Sequence, residues 1–390
     1  MGRFVAALAF ILLGLSLSIG CKDKSNSAGG GGGDEIPLGL YVSTTGDIAD
    51  FGTATKNGVD MAVEEINASN GIGGKKIKLT FYDVRSDSSE ATTAAKKLST
   101  EDNVVAAIGE VASGLSLAAA PIFQQNGVPM VSPSSTNPTV TEKGDRIFRI
   151  CYLDDFQGGA CAAFAHKDLN ARKAAIIIEQ DSPYSVGLAN FFKSTFEKLG
   201  GKVIAEEKYR SKETDFSTQV SNISKKDEKP DVVFAPVYYG DIALIAKEFR
   251  KQGLKMPLLG GDGWESPKLI QLAGEALEGS YFGNHYNPKD NDPKTQKFVK
   301  AYTEKFKEEP NSLAALGYDA VFVIKQAIEN GGGSSRDQIT EGLRKIKAFP
   351  GVTGTFDIDG KRNARKPISM LKIKGDKLEL VRQVQPDEVK

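Results

Sequence analysis

The chain has 390 residues, with 50 Lys and Arg against 50 Asp and Glu, so its formal net charge is zero. That balance argues against nucleic acid or an anionic surface as the main partner, and the length exceeds one typical hydrophobic core, which predicts two domains. Only three cysteines and two histidines occur, without a CxxC pair or a His-rich tract, so neither a metal site nor a disulfide framework is supported.

Arg3 gives a basic start, residues 4–17 are almost wholly apolar, and Ser18 and Gly20 precede Cys21 before charge resumes at Lys22. The apolar run falls short of the roughly 20 residues of a membrane span. Its flanks fit a cleaved export signal over residues 1–20. The placement of Cys21 resembles a bacterial lipobox, in which cleavage exposes a cysteine for lipidation, although Ser18 stands where that motif usually has Leu. The alternative is cleavage a few residues later, with Cys21 removed. Residues 21–35 are polar and include five consecutive glycines, Gly29 to Gly33, which predicts a flexible tether.

The body then alternates strand and helix. An apolar run at 36–42 predicts a strand, and Val59, Ala62, Val63 and Ile66 fall on one face of a helix. Residues 71–76 turn into a strand at 77–81, followed by helix at 91–98, strand at 104–108, helix at 115–125 and strand at 129–132. After Asp145 the pattern restarts, with helices at 156–169, 186–199, 216–224, 242–252 and 267–272 and strands at 174–178, 203–209, 232–235 and 257–259. Short continuous Val/Ile/Phe runs between amphipathic helices mark parallel sheets covered on both faces. Three further helices, at 295–307, 313–328 and 337–346, precede strands at 355–358, 368–373 and 378–381. These pieces complete the two lobes, so the chain crosses between them more than once. The expected fold class is α/β: two doubly wound parallel-sheet lobes joined by a three-segment hinge, with a ligand cleft between them.

In open parallel sheets ligands bind beyond the carboxyl ends of the strands. The first block offers Thr44, Thr45, Ser113, Ser134 and Thr136 there, hydroxyls beside helix starts, a setting that suits an anion. The second offers Tyr184, Tyr238, Trp264 and Asp262 in a Gly-rich loop, a setting for a cation and an apolar body. Facing each other, the two would fit a zwitterion. Taken singly, Ser113 and Thr136 read as N-caps, Asp262 as an Asx turn, and the tyrosines as packing residues. Enzymatic chemistry finds no carriers. His166 and His285 lie in no nucleophile motif and read as solvated or structural, and no GxSxG is present. The Gly71 to Lys76 segment lacks the spacing and the Ser/Thr of a phosphate loop. Cys151 and Cys161 either bridge, as an exported pair can, or sit as two small buried hydrophobes.

Specific segments resemble the periplasmic leucine/isoleucine/valine-binding proteins of branched-chain amino acid ABC transporters, the type I periplasmic-binding fold. They are Gly58-Val59-Asp60-Met61-Ala62 with Ile66-Asn67, Gly71 through Ile77, Tyr82-Asp83, Ile108-Gly109, Val131-Ser132-Pro133, Phe148-Arg149, Phe156-Gln157-Gly158, Asp215-Phe216-Ser217 and Gly317-Tyr318-Asp319-Ala320. The resemblance implies a first lobe of residues 36–153 and 284–362 and a second of 154–283 and 363–390, hinged near Asp154, His285 and Asn363. It implies that Ser113, Ser134 and Thr136 hold a ligand α-carboxylate and part of its ammonium, that Asp262 pairs the ammonium, and that Tyr238 completes the cage. Phe51, Val111, Ala112, Tyr184, Leu313 and Trp264 would line the side-chain pocket. Asp262 stands where the family has glutamate, and Phe51 where it has tyrosine.

The expected function is therefore that of an exported, lipid-anchored and monomeric carrier of a small zwitterionic amino acid, branched-chain or otherwise apolar. It would serve an ABC permease, use no cofactor or metal, bind no nucleic acid and catalyse nothing. The alternatives are a sensory ectodomain of the same fold, or a binder of short amides such as urea.

Overall fold

A computed structural model describes residues 35–389. The expectations for the export signal, for Cys21 and for most of the tether fall outside the described residues. Among the described residues no helix is long and apolar enough to cross a membrane.

The first sheet contains β1 (Glu35–Val42), β2 (Lys76–Asp83), β3 (Ala106–Gly109), β4 (Met130–Ser132) and β5 (Ile147–Arg149) in the order β2-β1-β3-β4-β5, all parallel. Every residue of β3, β4 and β5 is buried, as a parallel sheet covered on both faces requires. Its crossovers are α1 (Ala49–Ala68), α2 (Ser88–Thr100) and α3 (Ser113–Gln125). Asp87 starts α2 by accepting from the amides of Ser89 and Glu90, two of the donors a helix start leaves unpaired.

The second block runs α4 (Asp154–Lys167), β6 (Lys173–Glu179), α5 (Pro183–Lys198), β7 (Lys202–Tyr209), α6 (Ser217–Ser224), β8 (Val232–Phe234), α7 (Tyr239–Lys251), β9 (Leu258–Gly260), α8 (Lys268–Ala273) and β10 (Tyr281–Asn284). The chain then returns to the first lobe with α9 (Pro293–Phe306), α10 (Ser312–Gly331), which packs on α1 and β3, and α11 (Arg336–Arg344), which packs on α10, and adds a small hairpin of β11 (Phe349–Gly351) and β12 (Gly354–Phe356). It crosses once more to add β13 (Ile368–Lys374) and β14 (Lys377–Val384). The second sheet is β14-β13-β10-β9-β8-β6-β7. Its core is parallel, and β13 and β14 are antiparallel additions at one edge, a mixed pattern common in doubly wound sheets.

The helix that closes the first lobe is held by backbone proximity. Gly58 of α1 faces the Ala314 carbonyl of α10, and Gly317 of α10 faces the Thr55 carbonyl of α1. A side chain at either position would hold the two helices apart. The three strands the sequence left unnamed, β5, β10 and β11, are each only three or four residues long, too short to show a period.

Candidate functional site

Both sheets turn their strand carboxyl ends toward one narrow cavity. Phe51, Val111, Ser113, Ser134, Thr136, Tyr184, Tyr238 and Asp262 line it, together with Gly263 and Leu313. Of the residues expected there, two are placed otherwise. Ala112 is the buried residue preceding α3, where its amide donates to Glu110 at 2.6 Å. Trp264 lies fully buried behind the wall, its indole N–H bonded to the Ala235 carbonyl at 2.9 Å, and Gly260 leaves room for the ring. Trp264 is therefore a packing residue, since an indole that size finds its hydrogen-bond partner in the core.

On the first-sheet side the donors are organised by Glu110, a fully buried carboxyl with no cation beside it. Its side chain accepts from the Ser43 amide at 2.9 Å, the Ser43 hydroxyl at 3.0 Å and the Ala112 amide, joining the loops after β1 and β3. Its carbonyl accepts from Ser116, Ser132 and Ser135 at 3.0, 2.7 and 2.9 Å. Buried Arg149 braces the next loop through the carbonyls of Ser135 and Asn137 and through Thr141. This scaffold presents the N-terminus of α3, which no side chain caps, and Ser113, whose hydroxyl accepts from the Asn137 amide at 3.2 Å and keeps its own proton to donate. The arrangement suits a carboxylate.

On the other side Asp262 is the centre. Its Oδ1 accepts from Tyr184 at 3.0 Å and from Gln157 at 2.9 Å, and Nε2 of His285 lies 2.9 Å from its Oδ2. The Asp262 amide donates to Gln157 Oε1 at 2.7 Å. Glycines flank Asp262 because Cβ atoms at Gly261 and Gly263 would press on Gln157, Tyr184 and Tyr238. The Tyr184 and Tyr238 rings stack at 5.3 Å with 4° between planes, and Phe51 meets Tyr238 edge-on at 5.5 Å. Burial, followed by the Asp262 charge, pushes the Tyr184 hydroxyl well above its ordinary pKa, so the ring stays a donor. Sequence reasoning read His285 as solvated or structural and named no role for Gln157 or Glu110. Their only signal was position, since His285 and Glu110 each directly follow a strand.

Contacts at the lips join the two sides. Asn137 Nδ2 donates to the Pro183 carbonyl at 2.8 Å, Tyr239 to the Asp47 carbonyl at 3.1 Å and Ser266 to Asp50 at 2.8 Å, and Lys268 pairs with Asp50. Cys151 and Cys161 are separate, buried thiols, each directed at a backbone carbonyl, and burial pushes the Cys151 thiol up to about 12. They fit the reading as small buried hydrophobes. Among the described residues no cluster could hold a metal ion.

The buried carboxyls make a testable pH signature. Burial raises Glu110 and Glu265 to about 7 from an ordinary value near 4.5. Between those values the native state holds a proton that the unfolded chain has released, so stability falls as pH rises from about 4.5 to about 7. Each group contributes up to about 3 kcal/mol. Buried His285, held below the ordinary imidazole value, acts in the opposite sense below about 6.5 but is one group against two, and the surface carboxyls whose values are lowered, such as Asp145, do so only at more acid pH. The denaturant midpoint is expected to be higher at pH 5 than at pH 8, and Glu110→Gln is expected to flatten that slope. A midpoint that climbs steadily over this window would contradict the assignment.

The description "Periplasmic binding protein" fits a family profile matching residues 35–377. The "Leu/Ile/Val-binding protein homolog 1" of Brucella suis biovar 1 is 30% identical over 337 residues, covering 85% of this chain and 88% of that one. The "Leucine-, isoleucine-, valine-, threonine-, and alanine-binding protein" of Pseudomonas aeruginosa is 29% identical over 330 residues, covering 84% and 87%. Among solved structures, the leucine-binding protein LivK of Thermotoga maritima superposes with a TM-score of 0.87 at 40% identity, covering 90% of this chain and 99% of that one. LivJ of Streptococcus pneumoniae, in complex with isoleucine, gives 0.85 at 32% identity, covering 90% and 100%.

Proposed function

The chain belongs to the periplasmic binding protein family, within its branched-chain amino acid-binding group, and on that premise we propose that it captures one small apolar amino acid by lobe closure and delivers it to an ABC importer. The observation that carries this reading is the opposition of charge across one small cavity. Asp262, hydrogen-bonded from Tyr184, Gln157 and His285 but paired with no Lys or Arg, faces the uncapped start of α3 and the Ser113 hydroxyl. A zwitterion complements both ends, and Phe51, Val111 and Leu313 offer its side chain an apolar wall.

In this reading Ser113, Ser134 and Thr136 hold the carboxylate, Asp262 and Tyr238 the ammonium, and Phe51, Val111 and Tyr184 the remainder. Ala112 acts from behind, through Glu110. The lobes comprise residues 36–153 with 284–362 and 154–283 with 363–390, and closure bends the three crossings near Asp154, His285 and Asn363. The protein is exported; it works as a monomer tethered through a lipid on Cys21, needs no cofactor and transforms nothing. A neutral amide such as urea would leave the Asp262 charge without a partner on closure.

A thermal-shift screen of the mature protein against the twenty amino acids and small amides tests this directly. A ligand at 100 times its Kd is expected to add about 2.7 kcal/mol of stability. We expect the largest shifts from leucine, isoleucine or valine. A response confined to uncharged amides, or to none of the amino acids, overturns the reading.

A further inference from the structure

His285 stands where β10 ends and the chain leaves the second sheet for α9. Its side chain is fully buried and stacks on Tyr152 with ring centroids 3.7 Å apart and 27° between planes. Tyr152 sits on the first crossing between the lobes, between β5 and α4, and His285 on the second. Lys366, on the third, is buried as well; burial holds the imidazole below its ordinary pKa against the opposing pull of Asp262, with a smaller contribution from the Lys366 charge. The Nδ1 atom of His285 has no hydrogen-bond partner. A proton placed there would be a buried donor with nothing to receive it, an outcome that costs its full desolvation. The ring is therefore neutral and carries its proton on Nε2, directed at Asp262 Oδ2 at 2.9 Å.

This tautomer has a consequence for the ligand. A neutral donor fixes the direction of a carboxylate without cancelling its charge, whereas a cation at the same place would compete with the ligand's own ammonium. We propose that His285 is the positioning residue of the ammonium site: from the segment that links the two lobes, it orients the Asp262 carboxylate while leaving its negative charge for the ligand. The inference rests on the reading of Asp262 as the ammonium partner. It adds that the site is anchored to the hinge and not only to the β9 loop, so closure carries Asp262 with the crossing segment.

The test measures binding of leucine, isoleucine and valine, and of 4-methylpentanoate, which is leucine without its ammonium, to the mature protein by calorimetry and by NMR titration. His285→Phe keeps a ring on Tyr152 and removes the donor. We expect it to weaken the amino acids at least tenfold and to change 4-methylpentanoate binding less than twofold. His285→Gln, whose amide can reach Oδ2, is expected to restore amino-acid binding to within about threefold of wild type. If the Phe variant does not fold, His285→Asn against His285→Gln makes the same comparison, because the shorter amide stops short of Oδ2. Equal binding by the two amides, unchanged binding in the Phe variant, or a parallel loss of all ligands without rescue by Gln overturns the proposal. Asp262→Ala separates it from the reading beneath. Tight amino-acid binding by that variant removes both, while a loss there with wild-type behaviour in His285→Phe removes this one alone. A wild-type protein that binds none of the three amino acids removes both as well.

Discussion

Asp262→Ala is expected to weaken amino-acid binding by roughly 3–5 kcal/mol, the cost of leaving a buried charge without its partner. That is between about a hundredfold and several thousandfold in Kd. In the closed protein the Asp262 side chain is only 10% exposed, and the ligand's ammonium would be the one full positive charge brought to it. Without the carboxylate, that ammonium is desolvated against Tyr184, Gln157 and His285, which offer donors where an acceptor is needed. The empty protein behaves differently. Removing the anion relieves its desolvation but leaves the donors of Tyr184, Gln157 and His285 unpartnered, so the ligand-free variant is expected to shift far less in melting than in binding. Calorimetry and melting on the same preparation separate the two effects. A Kd within tenfold of wild type would show that the ammonium sits elsewhere.

The second large effect concerns folding. Gly58→Leu is expected to destabilise the protein by at least about 3 kcal/mol, the upper end of overpacking costs. A Cβ at position 58 would stand 1.9 Å from the Ala314 carbonyl oxygen and 2.8 Å from its carbon. These are backbone atoms of a helix, which cannot rotate away as a side-chain tip can. The α1 and α10 axes must separate, and the facing surfaces of the two helices lose contact together. Gly240→Ala is the control. Its Cβ meets nothing within 4 Å inside α7, so it is expected to be neutral or to stabilise slightly by lowering the unfolded chain's entropy. Urea unfolding of the two variants measures both; equal midpoints would contradict the close-approach argument.

Much of this was legible in the residues alone. The strands of both sheet centres are apolar runs of Val, Ile, Leu and Ala, and continuous apolar runs announce burial on both faces. Once the strands were placed, the residue after each one was a candidate by topology, and Ser113, Ser134, Tyr184, Tyr238 and Asp262 do meet in one cavity. Gly58 and Gly317, noticed as parts of a family pattern, have a packing reason that no period reveals, because it involves a partner more than 250 residues away. Burial of polar groups was the harder matter. Glu110 and His285 look like ordinary surface residues in sequence, and only three-dimensional enclosure makes one a buried bracket and the other a directed donor. Trp264 was misjudged for the same reason, since a large aromatic after a strand can face the cavity or the core, and here the space beside Gly260 decides for the core.

The triple crossing has a temporal consequence. The first sheet is finished by residue 149, but the helix that covers α1 starts at Ser312, and the second sheet receives its last two strands only after residue 367. Neither lobe is a contiguous stretch of chain, so an emerging polypeptide leaves both apolar sheets half-covered until the segments after residues 312 and 367 have been made. Contacts that distant are slow to close, because loop entropy is lost before packing repays it. In a member of an exported protein family, a fold closed only by late, distant segments would leave the chain unfolded for longer than one built from contiguous domains.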